Sequence, residues 1–522
     1  MRRALAALAA MAISSSSSAL AQWRPDERVV IGDFSRVLAI AASPSLVFAA
    51  TTHGLTIYDR FARAWRLPVT AADGYPALVR VALADVTGNA VWLGTGDGWA
   101  RYDADVRTWE VGVAPGGVGG LILDAADPAS GIFVQSAAGW GFLPRGGFAP
   151  TSDRPLPPLN RRIAPLTPDA AFALVPAAEA LRALILTDAR LHTGRFTCAS
   201  RTPDQSDLFF GTWGMGVVRI DATSAEWQRI PFGLLAPGAG GLAVEGDGVW
   251  AASVARPGAQ GERRGITWLR ADLSADSTVE GTGVQGVDCL DGRRVVADGQ
   301  SLWVACERGV AKIELSSGRS RLLTGLPVSD ALSLAPAPDG VWVGTAHGLA
   351  RVTSGDIISA VGTLTQPVLS LLTTHDSLWV GSVSGLGLVV PGTSEIIVPE
   401  DVGDQPALHA PVVALARVGD TLAAATPDQL GWRDPGTHRW TFTHTRLDLG
   451  AISAMAGDRG GAWIGGTTGL AFWEFSRSHF RVLHAPGDIP AGVRDLAVDK
   501  AYVWVSGDSG VVRFTRSAVL GR

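Results

Sequence analysis

A short pattern of apolar and small residues recurs along most of the chain. Its best copies are Val-Trp-Leu-Gly-Thr-Gly-Asp-Gly at residues 91–98 and Val-Trp-Val-Gly-Thr-Ala-His-Gly at residues 341–348. With the second position of the pattern as a marker, most copies lie 37 to 44 residues apart. This self-similarity at a nearly fixed period predicts a protein built from repeated structural units. The eleven markers are Phe48, Trp92, Phe133, Phe209, Trp250, Trp303, Trp342, Trp379, Ala423, Trp463 and Trp504.

Each repeat has the pattern of short strands joined by tight turns. An apolar stretch, the marker strand, a glycine turn and a third strand follow one another, often with a fourth strand behind them. Four antiparallel strands in about 40 residues form one blade of a β-propeller. The long interval between Phe133 and Phe209 predicts a degenerate twelfth unit with residues 184–187 as a strand, and the one stretch of helical character, 176–186, lies inside it. We therefore predict an all-β fold of tandem β-propellers with about twelve four-stranded blades.

The number of blades determines the predicted domain organisation. Propellers usually contain four to eight blades, so about twelve blades predict two rings. In one division, residues 22–280 form the first propeller and residues 281–522 form the second. In the alternative, a ring of residues 151–400 is inserted into a ring made of 22–150 and 401–522. An isolated strand near the N-terminus, residues 27–31, can complete the last blade, because such pairing removes an open sheet edge.

Composition and charge narrow the class of function. The chain has 18 Trp but only 4 Tyr, and seven of the tryptophans occupy the marker position, so we interpret them as blade-packing residues. The net charge is −5, and Lys312 and Lys500 are the only lysines among 44 basic residues. Proteins that coat nucleic acid carry clustered basic residues along one face. A nucleic acid partner is therefore not expected.

The N-terminus has the pattern of a cleaved secretory signal. Arg2 and Arg3 precede an apolar run at residues 4–13, which is followed by serines and an Ala-Leu-Ala sequence that ends at Ala21. The apolar run is shorter than the ~20 residues that a membrane span requires, and no later segment is continuously apolar over that length. We predict a signal peptide at residues 1–21, no transmembrane anchor after cleavage, and a periplasmic or secreted bacterial protein.

The chain has three cysteines, an odd number for an exported protein. Cys198, Cys289 and Cys306 permit at most one internal disulfide. Cys289 and Cys306 lie in the same repeat and are the favoured pair, while buried free thiols are the alternative. Their spacing is unlike that of a metal site, which needs more ligands at short intervals.

The repeat resembles a known family. The sequence at residues 341–352, together with Thr-Gly-Leu-Pro-Val-Ser-Asp at 324–330, resembles the two-component regulator propeller repeat, and so do residues 91–103 and 302–313. The resemblance implies the periplasmic sensing part of hybrid regulators, commonly a pair of propellers, and related repeats occur in the propeller protein of the type IX secretion machinery. The chain departs from both patterns, because no transmembrane helix, kinase module or additional C-terminal domain follows the last repeat. We therefore expect a free-standing exported propeller.

Candidate binding residues occupy two positions in the repeat. The turns between second and third strands share a face with the loops that lead into each innermost strand, so a ligand over a channel would contact both. Trp213 is an unusual turn residue, because an exposed aromatic side chain can stack on a sugar or anchor a partner. Solvated turn residues are the alternative interpretation. The candidates are the turn residues His53, Asp97, Arg308, His347, Ser384, Thr468, Ser509 and Trp213, and the loop residues Tyr75, Asp330, His409 and Arg494.

Motifs for catalysis are weak. The glycine clusters are followed by strands, whereas a phosphate loop requires a following helix, so we interpret them as hairpin turns. Asp59, Asp103 and Asp221 follow third strands and are either ligands for calcium or sugar, or residues that bond to their own turn. Residues 506–510 partly match a sialidase aspartate box, but Arg513 replaces its tryptophan. We assign no catalytic residue, no metal site and no cofactor, and calcium has no motif to support it.

The sequence predicts a binding protein more than an enzyme. Our hypothesis is an exported, sensor-like β-propeller of the cell envelope that binds a protein partner or a glycan-type ligand. One alternative is a propeller glycoside hydrolase or polysaccharide lyase. The other is a structural subunit of an envelope or secretion assembly. The sequence makes no prediction of the oligomeric state.

Overall fold

The computed structural model describes residues 23–188, 190–255, 263–281, 287–374, 377–390, 393, 395–444, 449–475, 479–484 and 487–521. The predicted signal peptide lies outside these residues. Within them the chain forms eleven four-stranded antiparallel sheets, which we call blades 1 to 11. The prediction of an all-β protein with propeller blades is confirmed.

The first five blades take up the chain from Val37 to Glu280. Their strands, in chain order, are Val37–Ala42, Leu46–Thr51, Leu55–Asp59 and Ala64–Trp65 in blade 1; Val81–Ala84, Ala90–Gly94, Gly98–Asp103 and Thr108–Val113 in blade 2; Gly120–Asp124, Gly131–Ser136, Gly139–Pro144 and Arg162–Ile163 in blade 3; Phe196–Arg201, Asp207–Thr212, Val217–Asp221 and Trp227–Ile230 in blade 4; and Gly238–Glu245, Gly248–Val254, Gly265–Arg270 and Asp276–Glu280 in blade 5.

The remaining blades take up the chain from Arg294 onward. Their strands are Arg294–Ala297, Ser301–Cys306, Gly309–Glu314 and Ser320–Leu323 in blade 6; Ala331–Ala337, Gly340–Thr345, Gly348–Val352 and Ile358–Val361 in blade 7; Val368–Thr373, Leu378–Ser382, Gly385–Val389 and Ile396–Ile397 in blade 8; Ala414–Val418, Thr421–Ala425, Gln429–Arg433 and Trp440–His444 in blade 9; Ile452–Asp458, Gly461–Gly466, Gly469–Glu474 and His479–His484 in blade 10; and Asp495–Val498, Tyr502–Gly507, Gly510–Thr515 and Arg28–Ile31 in blade 11.

The N-terminal strand completes the last blade. Arg28–Ile31 pairs antiparallel with Gly510–Thr515, so that Ile31 lies opposite Val511. Both of these side chains are fully buried. The predicted closing strand is therefore confirmed, and it joins the beginning and the end of the described chain in one sheet.

Helices are short and few in the described part of the chain. The α-helices are α1 (Pro168–Phe172), α2 (Pro176–Glu179), α3 (Arg182–Ile185), α4 (Glu400–Gly403) and α5 (Arg516–Gly521), and the 3₁₀ helices are Ala71–Asp73, Leu159–Arg161 and Pro406–His409.

The prediction of a twelfth unit with a strand at residues 184–187 was wrong. Leu184 and Ile185 belong to α3, as the helical character of this stretch indicated. The helix is favoured because it buries Ile185 together with Phe172 against Phe210 of blade 4. Upstream of these helices, Leu156 packs against the cluster that contains Phe133, so this part of the chain also covers blade 3.

The blades pack face to face in a definite order. The first strands of blades 5 to 11 contact one another in sequence order, and the first strand of blade 11 contacts that of blade 5. Blade 1 contacts blades 2 and 4, and blade 2 contacts blade 3. Between these two groups, Trp65 of blade 1 donates its indole N–H to the carbonyl of Pro231 (2.9 Å) and its backbone N–H to that of Ser274 (3.0 Å).

Four of the marker tryptophans donate a hydrogen bond to an acid at the preceding turn. The indole N–H groups of Trp303, Trp463 and Trp504 each donate to the carboxylate of an aspartate five residues earlier, at 2.8–2.9 Å. Trp250 donates in the same way to Glu245 at 3.2 Å. A buried indole N–H needs an acceptor, so these acids satisfy a polar group inside the packed blades.

The glycine two residues after the marker is required by close approach of the next blade. A Cβ on Gly94 would lie 2.7 Å from the carbonyl oxygen of Val118, and one on Gly381 would lie 2.6 Å from that of Val412. Both distances are shorter than carbon and oxygen atoms tolerate. The glycine at this position of the repeat pattern is therefore explained by the close contact between neighbouring blades.

Candidate functional site

The predicted common face of turns and loops exists. In blades 1, 2, 4, 7, 8, 10 and 11, the turn between second and third strands donates a backbone N–H to the loop that precedes its own first strand. Thus Thr52 donates to Arg36 (3.1 Å), Trp213 to Arg195 (2.9 Å) and Ala346 to Asp330 (3.0 Å). A buried Thr or Ser at the start of many of these turns, such as Thr345, accepts from turn N–H groups and fixes the conformation. The repeat therefore places variable side chains on one face of the molecule, which we call the turn face.

The predicted turn residues lie on this face, and most of them point to solvent. His53 is half-buried, where its imidazole Nδ1 is 3.0 Å from the Thr52 hydroxyl. Tyr75 is half-buried and donates its hydroxyl to the carbonyl of Thr51 (2.8 Å), so its position is explained by packing between blades. The exposed residues are Asp97, Arg308, His347, Ser384, His409, Thr468 and Ser509.

Trp213 lines a cleft on the turn face. The cleft has a volume of about 440 Å³, within the range of small-molecule sites. The indole is 39% exposed, and the guanidinium carbon of Arg195 lies 5.3 Å from the centre of its ring. The backbones of Arg36 and Trp213 pair in an isolated antiparallel β-bridge. The residues around the cleft are Arg36, Asp188, His192, Thr193, Gly194, Arg195, Trp213, Gly214, Met215 and Arg263.

Blade 4, the loops beside it and a loop of blade 5 build this cleft. Arg36 precedes blade 1, the loop from Asp188 to Arg195 precedes blade 4, and Arg263 precedes the third strand of blade 5. Asp188 is the one carboxylate among the described residues of the wall. It accepts from the backbone N–H groups of Arg190 and His192 and lies 3.1 Å from the His192 ring. The cleft thus lies where the two groups of blades meet on the turn face.

A buried carboxylate joins three arginines beside the cleft. Asp288, 5% exposed at its side chain, contacts Arg190 and Arg264 (3.3 Å) through Oδ1 and Arg308 (2.5 Å) through Oδ2. Burial by itself would raise the pKa of Asp288, but the hydrogen bond from Arg190 and the charges of the three arginines lower it below the ordinary value. Asp288 is therefore a carboxylate at neutral pH, and it connects the loop before blade 4 with blades 5 and 6.

The loop that carries Asp288 also reaches a second ion-pair network. Asp291 contacts Arg293 (3.0 Å) and Arg494 (3.0 Å). Arg293 in turn contacts Asp330 (2.6 Å), and Arg494 contacts Asp508 (2.7 Å). Burial would lower the pKa of Arg293, but hydrogen bonds to Asp291 and Asp330 raise it. The predicted residues Asp330 and Arg494 are brought together by this network.

A disulfide holds the same loop. Cys289 and Cys306 are bonded at a sequence separation of 17, and Glu307 accepts from the backbone N–H groups of Leu290 and Asp291. The favoured pairing is therefore confirmed. Cys198 is a free thiol whose pKa burial raises to about 12.

Sequence reasoning found part of this region. It identified Trp213, Arg308, Asp330 and Arg494, but it missed the residues that connect them, namely Arg36, Arg190, Arg195, Arg263, Asp288 and Asp291. These lie in loops of different length that the repeat does not align. The one sequence signal near them is a pair of adjacent arginines at 263–264, just before the third strand of blade 5, and another at 293–294, where the first strand of blade 6 begins.

The recurring aspartates after third strands belong to turns. Asp59 accepts from the N–H groups of Phe61 and Ala62, and Asp221 accepts from those of Thr223 and Ser224. Asp103 bonds its turn in the same way. The turn interpretation is therefore confirmed. Among the residues that the structure describes, no group of three or more His, Cys, Asp or Glu side chains is placed to hold a metal ion.

The fold is similar to that of known propeller proteins. No protein-family model and no curated protein sequence matches the chain. Among solved structures, PorZ, a surface component of the type-IX secretion system of Porphyromonas gingivalis, matches with a TM-score of 0.51 and 10% identity over 94% of this chain and 87% of PorZ. This likeness shows the fold alone.

Two further matches are extracellular domains from B. thetaiotaomicron. The domain assigned to the one-component system BT4673 has a TM-score of 0.44 and 12% identity over 91% of this chain and 75% of its own length. The domain assigned to the hybrid two-component system BT3049 has a TM-score of 0.37 and 13% identity over 93% and 82%. The solved structures similar to this chain thus include extracellular domains of the regulator class that the repeat resemblance indicates.

Proposed function

We propose that this chain is an exported β-propeller that binds a small ligand or a protein partner in the bacterial cell envelope, with the Trp213 cleft as its binding site. The observation that carries the proposal is the half-exposed indole in a preformed cleft of about 440 Å³. Apolar ring faces flanked by a few oriented polar groups are the usual anchors of ligand sites. The repeat alone does not require a tryptophan there, because the other turns carry small or polar residues.

The contacts between blades support a division into two rings. In this proposal, blades 5 to 11 form one seven-bladed ring, which the strand Arg28–Ile31 completes. Blades 1 to 4, with the helical segment α1–α3, form the second. The chain then begins in one ring, builds the other and returns through residues 231–237. This division differs from both predicted boundaries, and it places the Trp213 cleft at the junction of the rings.

The state of the buried carboxylate beside the cleft favours binding over acid–base catalysis. Asp288 contacts three arginines, and the hydrogen bond from Arg190 and the three positive charges lower its pKa. A general acid needs a carboxyl whose pKa is raised toward neutrality, whereas arginine pairing lowers the pKa of a carboxyl.

No helix of the described residues is long and apolar enough to cross a membrane.

The proposal can be tested by screening the purified protein for ligands. Isothermal titration calorimetry with neutral and charged monosaccharides, amino acids and aromatic acids should identify a compound that binds the wild type and loses most of its affinity in Trp213→Ala. Trp140→Ala, which removes a half-buried tryptophan of blade 3, is the matched control and should leave binding intact. Equal loss in both variants, or no binding compound and no partner retained from an envelope extract, would contradict the proposal.

A further inference from the structure

We infer that the Trp213 cleft selects a small ligand that combines an anionic group with a ring whose apolar face can stack on the indole. The inference rests on the proposed function, because it names the class of ligand for the same cleft.

Among the described residues, the walls of the cleft carry more positive than negative groups. Three of these residues are arginines, Arg36, Arg195 and Arg263, and one is a carboxylate, Asp188. The oxygens of Asp188 are engaged by two backbone N–H groups and by His192. The direct partners of that carboxylate therefore lie in its own loop, and among the described residues it forms no ion pair with the arginines across the cleft.

Arg195 is the arginine that can meet a ligand. Arg263 forms an ion pair with Glu280, and Arg36 lies 3.9 Å from Asp33. Arg195 is exposed, and within the described parts of the chain no carboxylate lies within ion-pair distance of it. Its guanidinium is placed over the Trp213 ring instead. A planar guanidinium can pair with a carboxylate or phosphate by two parallel hydrogen bonds, and stacking on an indole orients it without using its N–H donors.

The neighbouring Asp288 cluster adds to the positive potential. Three guanidinium groups, of Arg190, Arg264 and Arg308, share this single carboxylate, which leaves an excess of two positive charges. Arg190 lies two residues from Asp188 and Arg264 is adjacent to Arg263, so the cluster borders the cleft. The excess is local, since the whole chain carries −5. A concave site lined by one sign of charge concentrates ligands of the opposite sign.

Matched ligand pairs test the inference. Glucose is compared with glucuronate and glucose 6-phosphate, and benzyl alcohol with benzoate, by calorimetric titration of the purified protein. The anionic member of at least one set should bind at least tenfold more tightly than its neutral counterpart, and its affinity should fall as NaCl is raised. Binding by the sugar acids alone would identify an acidic saccharide, and binding by benzoate alone would identify an aromatic acid.

Two variants separate charge from shape. Arg195→Gln should weaken the anionic ligand about tenfold more than the neutral one, while Arg319→Gln, an exposed arginine at a turn of blade 6, should alter neither. Neutral and anionic members of equal affinity, with both lost in Trp213→Ala, would overturn the inference and leave the proposed function standing. Absence of binding by all five probes would also overturn it, whereas the proposed function fails only if the wider screen finds no ligand or partner.

Discussion

A buried carboxyl near the junction of the two groups of blades predicts an unusual dependence of stability on pH. Asp276 begins the last strand of blade 5, and its Oδ2 atom has no contact with solvent and no hydrogen-bond partner among the described residues. Burial raises the pKa of this carboxyl from 3.8 to about 7, although a hydrogen bond from the Gly233 backbone and the charge of Arg263 act in the opposite direction. In the unfolded chain the pKa returns to its ordinary value.

The sign of the effect follows from the protons that each state binds. Between about pH 4 and pH 7 the folded protein keeps the Asp276 proton and the unfolded chain releases it, so the free energy of unfolding decreases as pH rises through this window. A rise of about three in pKa corresponds to about 4 kcal/mol at about 1.4 kcal/mol per unit. Because the residue as a whole is half-buried and water can relax around it, we expect about 2 kcal/mol at pH 8.

Asp276→Asn tests this reasoning, because the amide cannot ionise. Urea unfolding followed by tryptophan fluorescence should show the variant more stable than the wild type by about 2 kcal/mol at pH 8, with the difference vanishing near pH 4. Asp153→Asn, an exposed aspartate, is the control and should give no pH-dependent difference. A difference between Asp276→Asn and wild type that stays constant from pH 4 to pH 8 would refute the assignment of the effect to a buried titrating carboxyl.

Three further predictions concern the fold. Replacing Cys289 and Cys306 together by serine should lower the free energy of unfolding by about 3 kcal/mol, since the bond closes a loop of 17 residues, and dithiothreitol should destabilise the wild type but not the variant in a thermal melt. Val29→Pro should cost about 3 kcal/mol or more by removing a backbone donor from the closing strand; a melting temperature equal to that of the wild type would contradict the role of this strand. Asp499→Ala should cost about 2 kcal/mol, because the Trp504 indole loses its acceptor, and Asp499→Asn should retain part of the stability in the same urea assay.

The blades follow from the sequence because their causes are local. Alternating apolar positions, a glycine turn every repeat and a tryptophan at a fixed place specify strands and hairpins within about 40 residues. Gly94 is an example. The close approach of Val118 forbids a side chain there, and the resulting glycine is part of the repeat pattern in the sequence. The segment around Ile185 does not follow the repeat pattern, and its helix is stabilised by packing on Phe210 of blade 4.

The binding region is a different case. Trp213 stood out because it breaks the repeat, but the meaning of its position depends on Arg195, Arg263 and the Asp288 cluster. Arg190 and Asp288 are 98 residues apart and lie in loops outside the repeat pattern. The sequence by itself determined the blades and the face that displays their turns, because strand pairing is local. Only the tertiary structure decided which loops meet at the cleft, because that depends on how distant blades pack against one another.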